Sequence, residues 1–328
     1  MKLLLLAPIS TSNSDARLVP GSGTGHSDEL ASSAMAEVAA RAAAHARAAL
    51  AGNPSDAYGG AVLAVTLDAL SAEAFAHRAQ SLVVEPASEL VEATVRRFSA
   101  EFGTAAVATK VQWRTSIPRG VGLGGSSAIV IAVLRALCAL HRTALDPARM
   151  AELALAIEVE DLGIAAGLQD RVAQAYGGLV FMEFGDGGAY ERLAAALLPP
   201  LVVAWRTDAA QDSDDVHALL QTRLEAGEGT AVAGMKDLAE LARAARAALI
   251  ARDHEQLART ADESFDVRRR LIALDPRHVE LVERARALGA GANYTGSGGA
   301  VVAVCRDQAH AGTVARALAE LGCGTLAL

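Results

Sequence analysis

Apolar positions in this chain recur with two different spacings. Leu90, Ala93, Thr94, Arg97 and Phe98 fall three and four apart and predict a helix over 89–102. The same period in Ala128, Ile131, Ala132, Leu134, Ala136 and Leu137 predicts a second helix. Asp146-Pro147 is a cap followed by proline at the first helical position, opening a third helix over 148–160. A short helix is predicted over 170–176. Shorter apolar or alternating runs predict strands at 47–51, 61–67, 75–79, 82–85, 107–113 and 179–183. Beyond a strand at 201–205 the pattern turns mainly helical, over about 213–226, 232–252, 254–273 and 277–288. A buried strand at 300–305, a helix at 309–321 and a short last strand complete a β-α-β finish.

Residues 1–36 fit no such period. An apolar run shorter than most secretory h-regions leads into a Ser/Gly/Asp/Thr stretch with Leu18-Val-Pro-Gly-Ser-Gly23, which reads as a tag-like, disordered leader. The remainder divides at Pro199-Pro200, giving domains over 37–198 and 199–328.

The sharpest feature lies between the strand at 107–113 and the second helix. Pro118 and Arg119 precede Gly120, Gly122, Gly124 and Gly125, interleaved with Val121 and Leu123, and the run enters the helix through Ser126, Ser127 and Ala128. Glycines let successive backbone N–H groups turn toward one anion, and the helix start adds unpaired amides and a positive dipole end. The loop is therefore read as a phosphate cradle. Gly120-x-Gly122-x-x-Gly125 also matches a dinucleotide fingerprint, but about 20 residues on comes a helix instead of a strand ending in an acid. A Walker-type loop would need lysine where Ser126 stands. A flexible linker would not run directly into an amphipathic helix.

Composition narrows the partners. With 328 residues, 52% of them hydrophobic, the chain can bury one large or two moderate cores. A net charge of −8 without a basic stripe argues against nucleic acid. Cys138, Cys305 and Cys323 are scattered without metal or disulfide spacing, which suits a reducing cytoplasm. The eight histidines form no ligand pair on a helix face, and no apolar run approaches the ~20 residues needed to cross a bilayer.

Pro118, Gly122, Leu123, Ser126, Ser127 and Ala128 fit the Pro-x-x-x-Gly-Leu-x-Ser-Ser-Ala loop of the GHMP kinases, with Gly125 as one extra glycine. Two further glycine-rich turns stand in the family's order. One is Gly52-Asn-Pro-Ser-Asp56-x-Tyr58-Gly-Gly60 after Arg47; the other is Tyr294-Thr-Gly-Ser-Gly-Gly-Ala300. Gly167-Leu-Gln-Asp-Arg171 and Phe265-Asp-Val-Arg-Arg-Arg270 resemble the glucuronokinase branch. The resemblance covers nearly all of residues 45–305. It implies an α+β, two-domain fold, with an N-terminal ribosomal-S5-like domain and a C-terminal ferredoxin-like α/β domain. It further implies an ATP- and Mg2+-dependent sugar 1-kinase, acting first of all on D-glucuronate, as a monomer or homodimer in the cytoplasm. Galacturonate, a neutral hexose or a heptose phosphate are alternative acceptors, and a non-catalytic sugar or nucleotide sensor is the alternative outside the enzymes.

Carried over residue by residue, the resemblance assigns ATP to 118–128. It gives the acceptor hydroxyl to Asp170 as base or orienting group, and charge stabilisation to Arg47. Asp170 also has the simpler reading of a helix cap, and Arg47 that of a strand-edge surface cation. The metal falls to Ser126 or Ser127 together with Glu160. Glu158 is the rival, and only one of the two acids can face the site, because two residues along a helix turn ~200°. Asp56, Tyr58, Thr295, Gly296, Ser297 and Gly298 are assigned to the sugar. Asn293 stands where relatives often carry lysine and is given no phosphate role. A uronic acid needs a cation that a neutral sugar does not. The candidates are Arg119, Arg171, Arg268, Arg269 and Arg270; of the last three, one or two can face a cleft and the rest are solvated.

Overall fold

The structure, a computed structural model, describes residues 40–185, 187–207, 220, 222–296 and 298–328. The expected leader, most of the helix expected at 213–226, and Ser297 lie outside the described residues.

The first sheet is organised on one strand. β1 (Ala40–Ala51) runs antiparallel along one edge of β2 (Ala61–Arg78). The other edge of β2 is shared: β4 (Thr109–Thr115) takes residues 72–78 and β5 (Leu179–Glu183) takes 61–65. β3 (Val83–Glu85) adds in parallel to β4, and β6 (Ala189–Leu193) antiparallel to β5. The strands expected separately at 61–67 and 75–79 are thus one element. His45 pairs with Ser71 while the next residue, Ala46, pairs with Leu67, so Asp68, Ala69 and Leu70 bulge out. A bulge breaks the polar alternation while the ladder resumes beyond it, which hides the continuity from the pattern. The expected 47–51 strand likewise begins seven residues earlier, at Ala40. Its alanines have little β propensity of their own, and pairing with β2 decides the outcome.

α1 (Glu89–Phe102) keeps its expected bounds, capped by Ser88 accepting from Val91 N–H. α2 (Gly125–His141) packs on β1 and β2, with Val130, Ile131, Leu134 and Leu137 fully buried. α3 (Pro147–Ala156) opens on the expected cap, Asp146 accepting from Arg149 N–H at 3.0 Å. It stops short of Glu160: Ile157–Asp161 form a wider π turn closed by Ile164 N–H on the Glu158 carbonyl at 2.8 Å. α4 (Gln169–Tyr176) then returns the chain to β5.

The second sheet is antiparallel in the order β10-β7-β9-β8, from β7 (Leu201–Trp205), β8 (Gly291–Tyr294), β9 (Ala300–Val304) and β10 (Gly324–Ala327). With it come α5 (Gly229–Ala251), α6 (His254–Leu271), α7 (Pro276–Ala287) and α8 (Gln308–Ala319). Asp253, Asp275 and Asp307 cap α6, α7 and α8 through their carboxylates. α5 also packs on β1 and β2, where Ala242 and Ala245 join the core of the first sheet. β6 and β8 are the strands the pattern misses. β6 is a polar edge strand, and β8 reads as turn because Gly291 and Asn293 flank its alanine. Among the described residues no helix is long and apolar enough to cross a membrane.

Candidate active site

The glycine loop lies open on a cavity of about 390 Å³ whose wall runs through every residue from Ile117 to Ser126. Gly120, Gly122 and Gly124 hold φ of 68°, 70° and 71°, the left-handed region that favours glycine. Gly125 has no such requirement; a Cβ there would meet only Ile117 Cγ2 at 3.6 Å. α2 starts at this point, so its first amides face the loop cavity. Trp113, Leu90 and Ile129 supply an apolar side to the same space.

The structure separates the two serines. Ser126 is exposed and lines the loop cavity. Ser127 is fully buried, its hydroxyl donating to the Gly124 carbonyl at 3.2 Å, so it has no route to a metal or phosphate. Ala128 is buried as well, and its N–H is spent on Gly124 O at 3.1 Å. The Ser127 hydroxyl is therefore excluded as a metal ligand, and the expected phosphate contact at Ala128 is corrected to helix closure.

A second cavity of about 700 Å³ adjoins the first, and Arg47, Ser126 and Asp170 line both. Arg47 comes from β1, opposite Thr66 of β2. It is 3% exposed, so the surface-cation alternative is excluded. Its Nε donates to Asp170 Oδ1 at 2.6 Å, and its Nη1 donates to the carbonyls of Gly122 at 2.6 Å and Thr295 at 3.0 Å. Asp170 is the second residue of α4, not the residue before the helix, and its side chain remains 18% exposed on the shared wall.

Asp56 stands in the turn Ser55–Tyr58 and lines the larger cavity with Tyr58. Its Oδ2 accepts from Gln169 N–H at 3.2 Å and its Oδ1 from Gln169 Nε2 at 3.0 Å. Burial pushes its carboxyl up to about 6, and the charge of Asp170 adds to this against the Gln169 bond. A Cβ at Gly167 would come within 2.3 Å of Asp56 Oδ2, so glycine is required for this close approach.

Four further assignments are corrected. Glu160 is 64% exposed and held by Arg97 Nη2 at 2.8 Å, on neither cavity wall. The π turn swings the acids apart, and the inward one is Glu158, fully buried. Arg171 reaches the larger cavity, but its guanidinium is engaged by Glu158, Nε at 2.8 Å and Nη2 closer, and by the Gly167 carbonyl at 2.7 Å. It is thus committed to a buried ion pair and not available for a substrate carboxylate. Thr295 is fully buried and donates to Gly122 O at 3.0 Å, so it fastens the loop and does not meet the sugar. Gly298 is also buried and off both walls, whereas Gly296 lines the larger cavity.

Of the arginine run on α6, Arg268 is turned inward and lines the larger cavity, 1% exposed, 5.3 Å over the Tyr294 ring. Desolvation pushes it down to about 10, so it remains a cation at neutral pH. Arg269 pairs with Glu283 at 3.0 Å and Arg270 is exposed. Arg119 is exposed at the rim of the loop cavity.

Asn53, Gln169 and Gln174 were not anticipated. Asn53 and Gln169 are buried and line the larger cavity, and each leaves its side-chain oxygen without a partner among the described residues. Gln169 lies inside the Gly167–Arg171 run, and Gln174 one helical turn after Asp170, which is the only signal the sequence held for them.

Two family models match this chain: GHMP kinases N terminal domain over residues 89–178, and GHMP kinases C terminal over 230–322. Together they take in more than half of its 328 residues. The chain belongs to the GHMP kinase family.

Within the GHMP kinases, the chain is similar to Glucuronokinase 1 of Arabidopsis thaliana, 40% identical over 209 residues, 60% of this chain and 57% of that protein. It therefore spans somewhat over half the length of that curated relative. Among solved structures it resembles Lactococcus lactis galactokinase complexed with galactose, at a TM-score of 0.76 and 14% identity, covering 89% of this chain and 92% of that one. A D-glycero-D-manno-heptose 1-phosphate kinase from Bacteriodes thetaiotaomicron gives a TM-score of 0.68 at 22% identity, covering 87% and 94%. These two likenesses speak for the fold: an α+β GHMP kinase fold carrying both family halves.

Proposed function

We propose that this protein is an ATP-dependent sugar 1-kinase whose acceptor is a sugar acid, D-glucuronate before others. The observation that carries the proposal is the shared wall. Arg47, Ser126 and Asp170 stand where a cavity floored by the glycine loop meets one lined by Asp56 and Arg268. Phosphoryl transfer is chiefly positioning and charge stabilisation, and two adjoining cavities with an acid, a cation and a hydroxyl at their junction suit it.

In this reading the amides of 120–126 hold the nucleotide's phosphates. Asp170 orients the anomeric hydroxyl and receives its proton late in a loose transition state. Arg47 keeps Asp170 aimed and offsets charge between donor and acceptor. Asp56 accepts from sugar hydroxyls, and Arg268 faces the carboxylate of the acid. Gly296 contributes to the wall, with Tyr58 at its rim. In the same reading the two family halves lie in domains taken as 37–198 and 199–328.

Magnesium, which such a reaction needs, fits the Ser126 hydroxyl, an exposed hard oxygen on both walls. Glu160 does not fit it, being held at the surface by Arg97. Bound there with phosphate oxygens and water, the ion would neutralise charge on the transferred group.

The 40% identity to an Arabidopsis glucuronokinase supports the acid acceptor. A segment 46% identical over 70 residues to a Campylobacter jejuni D-glycero-alpha-D-manno-heptose 7-phosphate kinase supports a heptose phosphate as the second candidate. The purified full chain, given ATP and magnesium, should release ADP with glucuronate well above galacturonate, a neutral hexose or a heptose phosphate, and the product should carry phosphate on the anomeric oxygen. Preference for another acceptor would overturn the choice of sugar. Nucleotide and sugar binding without ADP release would make the protein a sensor.

A further inference from the structure

Three successive carbonyls of the glycine loop are tied back into the protein. Gly122 O accepts from Arg47 Nη1 at 2.6 Å and Thr295 Oγ1 at 3.0 Å. Leu123 O accepts from Arg47 N–H at 3.1 Å. Gly124 O accepts from Gln174 Nε2 at 2.7 Å, alongside Ser127 Oγ and Ala128 N–H. The peptide units here are trans, which sets each N–H opposite its carbonyl. Holding the carbonyls of 122, 123 and 124 inward therefore turns the amides of Leu123, Gly124 and Gly125 the other way, to the loop cavity. A carbonyl released from this arrangement would withdraw its amide and set a partial negative charge against an anion.

Gln174 stands out among these anchors. It is 1% exposed, and its Nε2 would lie 2.8 Å from a Cβ placed on Gly124, so the side chain sits flush on the residue that caps α2. It belongs to α4, one turn after Asp170, which puts it on the same helix face as the acid. The far end of α4 is fastened too: Arg135 of α2 donates to the carbonyls of Gln174 at 3.0 Å and Ala175 at 2.9 Å, and to Ala43 O of β1 at 2.7 Å. One short helix thus carries the acid of the larger cavity and the anchor of the phosphate loop.

We infer that Gln174 is a positioning residue for the nucleotide, holding the Gly124 carbonyl inward so that the first amide of α2 meets a phosphate. The inference rests on the proposed nucleotide occupancy of the loop. The test uses the full chain, with ATP and magnesium titrated calorimetrically and KM measured separately for ATP and for the sugar. Gln174→Met keeps the volume and removes the donor. Because the Gln174 oxygen has no partner among the described residues, methionine strands nothing on that side. Losing a hydrogen bond of this kind should weaken ATP binding and raise its KM about tenfold, with the sugar KM moving less than about twofold. Gln174→Glu, which cannot donate and adds a negative charge beside the phosphates, should lose more, and the melting temperatures of both variants report whether the fold is retained. ATP affinity equal to wild type in both variants, or an equal rise in both KM values, overturns the role given to Gln174. Failure of the wild-type protein itself to bind ATP would remove the nucleotide reading along with it.

Discussion

Arg47 Nε and Asp170 Oδ1 lie 2.6 Å apart, although 123 residues separate them in the chain. The same guanidinium reaches the Gly122 and Thr295 carbonyls, so one side chain joins β1, α4, the glycine loop and the turn after β8. The acid of the larger cavity and the floor of the smaller are thus fixed to a common part.

Asp170→Asn should lower kcat by roughly 10²–10⁴-fold, the range for a positioned proton acceptor. ATP affinity should stay close to wild type, since the proposed phosphate contacts are the loop amides and Asp170 stands only where the two cavities meet. Steady-state kinetics with a parallel ATP titration checks both parts. Turnover retained in the variant would take Asp170 out of the mechanism.

Arg47 holds a network of bonds in the fold and has a proposed role in the reaction, and two variants separate the effects. Arg47→Met removes the guanidinium bonded to Asp170 and two carbonyls, with Arg171 at 4.0 Å the more distant cation beside Asp170, and should cost about 3 kcal/mol, read from denaturant midpoints. Arg47→Lys keeps the charge but cannot match the fork that reaches Asp170, Gly122 and Thr295 together. It should fold with a smaller loss and turn over roughly 10²-fold more slowly through misplacement of the acid.

Asp56 predicts a specific pH dependence. Its folded-state value of about 6 lies above the ordinary 3.8, because burial disfavours the charged form. The native protein therefore holds this proton after the unfolded chain has lost it. The stability so contributed is complete below pH 3.8 and is lost as pH rises through about 6. If the ionised form accepts from sugar hydroxyls, KM for the sugar should fall over the same rise. A KM profile from pH 5 to 8 tests this, and Asp56→Asn should flatten it.

Arg268 and Arg171 should respond differently to the same substitution. Arg268→Met removes a cation from the larger cavity wall and should raise KM for glucuronate roughly 10- to 100-fold, with a much smaller effect on a neutral hexose. Arg171→Met strands Glu158, which is fully buried, and should appear mainly as a stability loss of about 3 kcal/mol. Kinetics on both sugars with melting curves for each variant distinguishes the two roles.

What could be read from the residues alone was what local chemistry dictates. Asp146-Pro147 announced its helix, and alternating glycines before an apolar period announced the loop. Asp170 and Arg47 are named by the family resemblance, but not their bond, because it depends on how β1 and α4 meet. The family resemblance points to Glu160, and helix spacing says only that one of Glu158 and Glu160 can face the site; the π turn that decides between them has no strong sequence mark. Arg171 looked available because its buried partner lay 13 residues upstream. The split reading of β2 failed for the same reason: a bulge that breaks the alternation looks like a strand end until the partner strand is known. Thr295 and Gln174 serve by holding carbonyls inward, a role no side-chain pattern encodes.

The most direct test is a crystal structure of the full chain with a non-hydrolysable ATP analogue, magnesium and D-glucuronate. Phosphates are expected against the amides of 120–126, the anomeric hydroxyl within hydrogen-bond reach of Asp170, and the carboxylate beside Arg268. Phosphates bound away from the glycine loop, or a sugar whose anomeric oxygen lies far from Asp170, would contradict the proposed function.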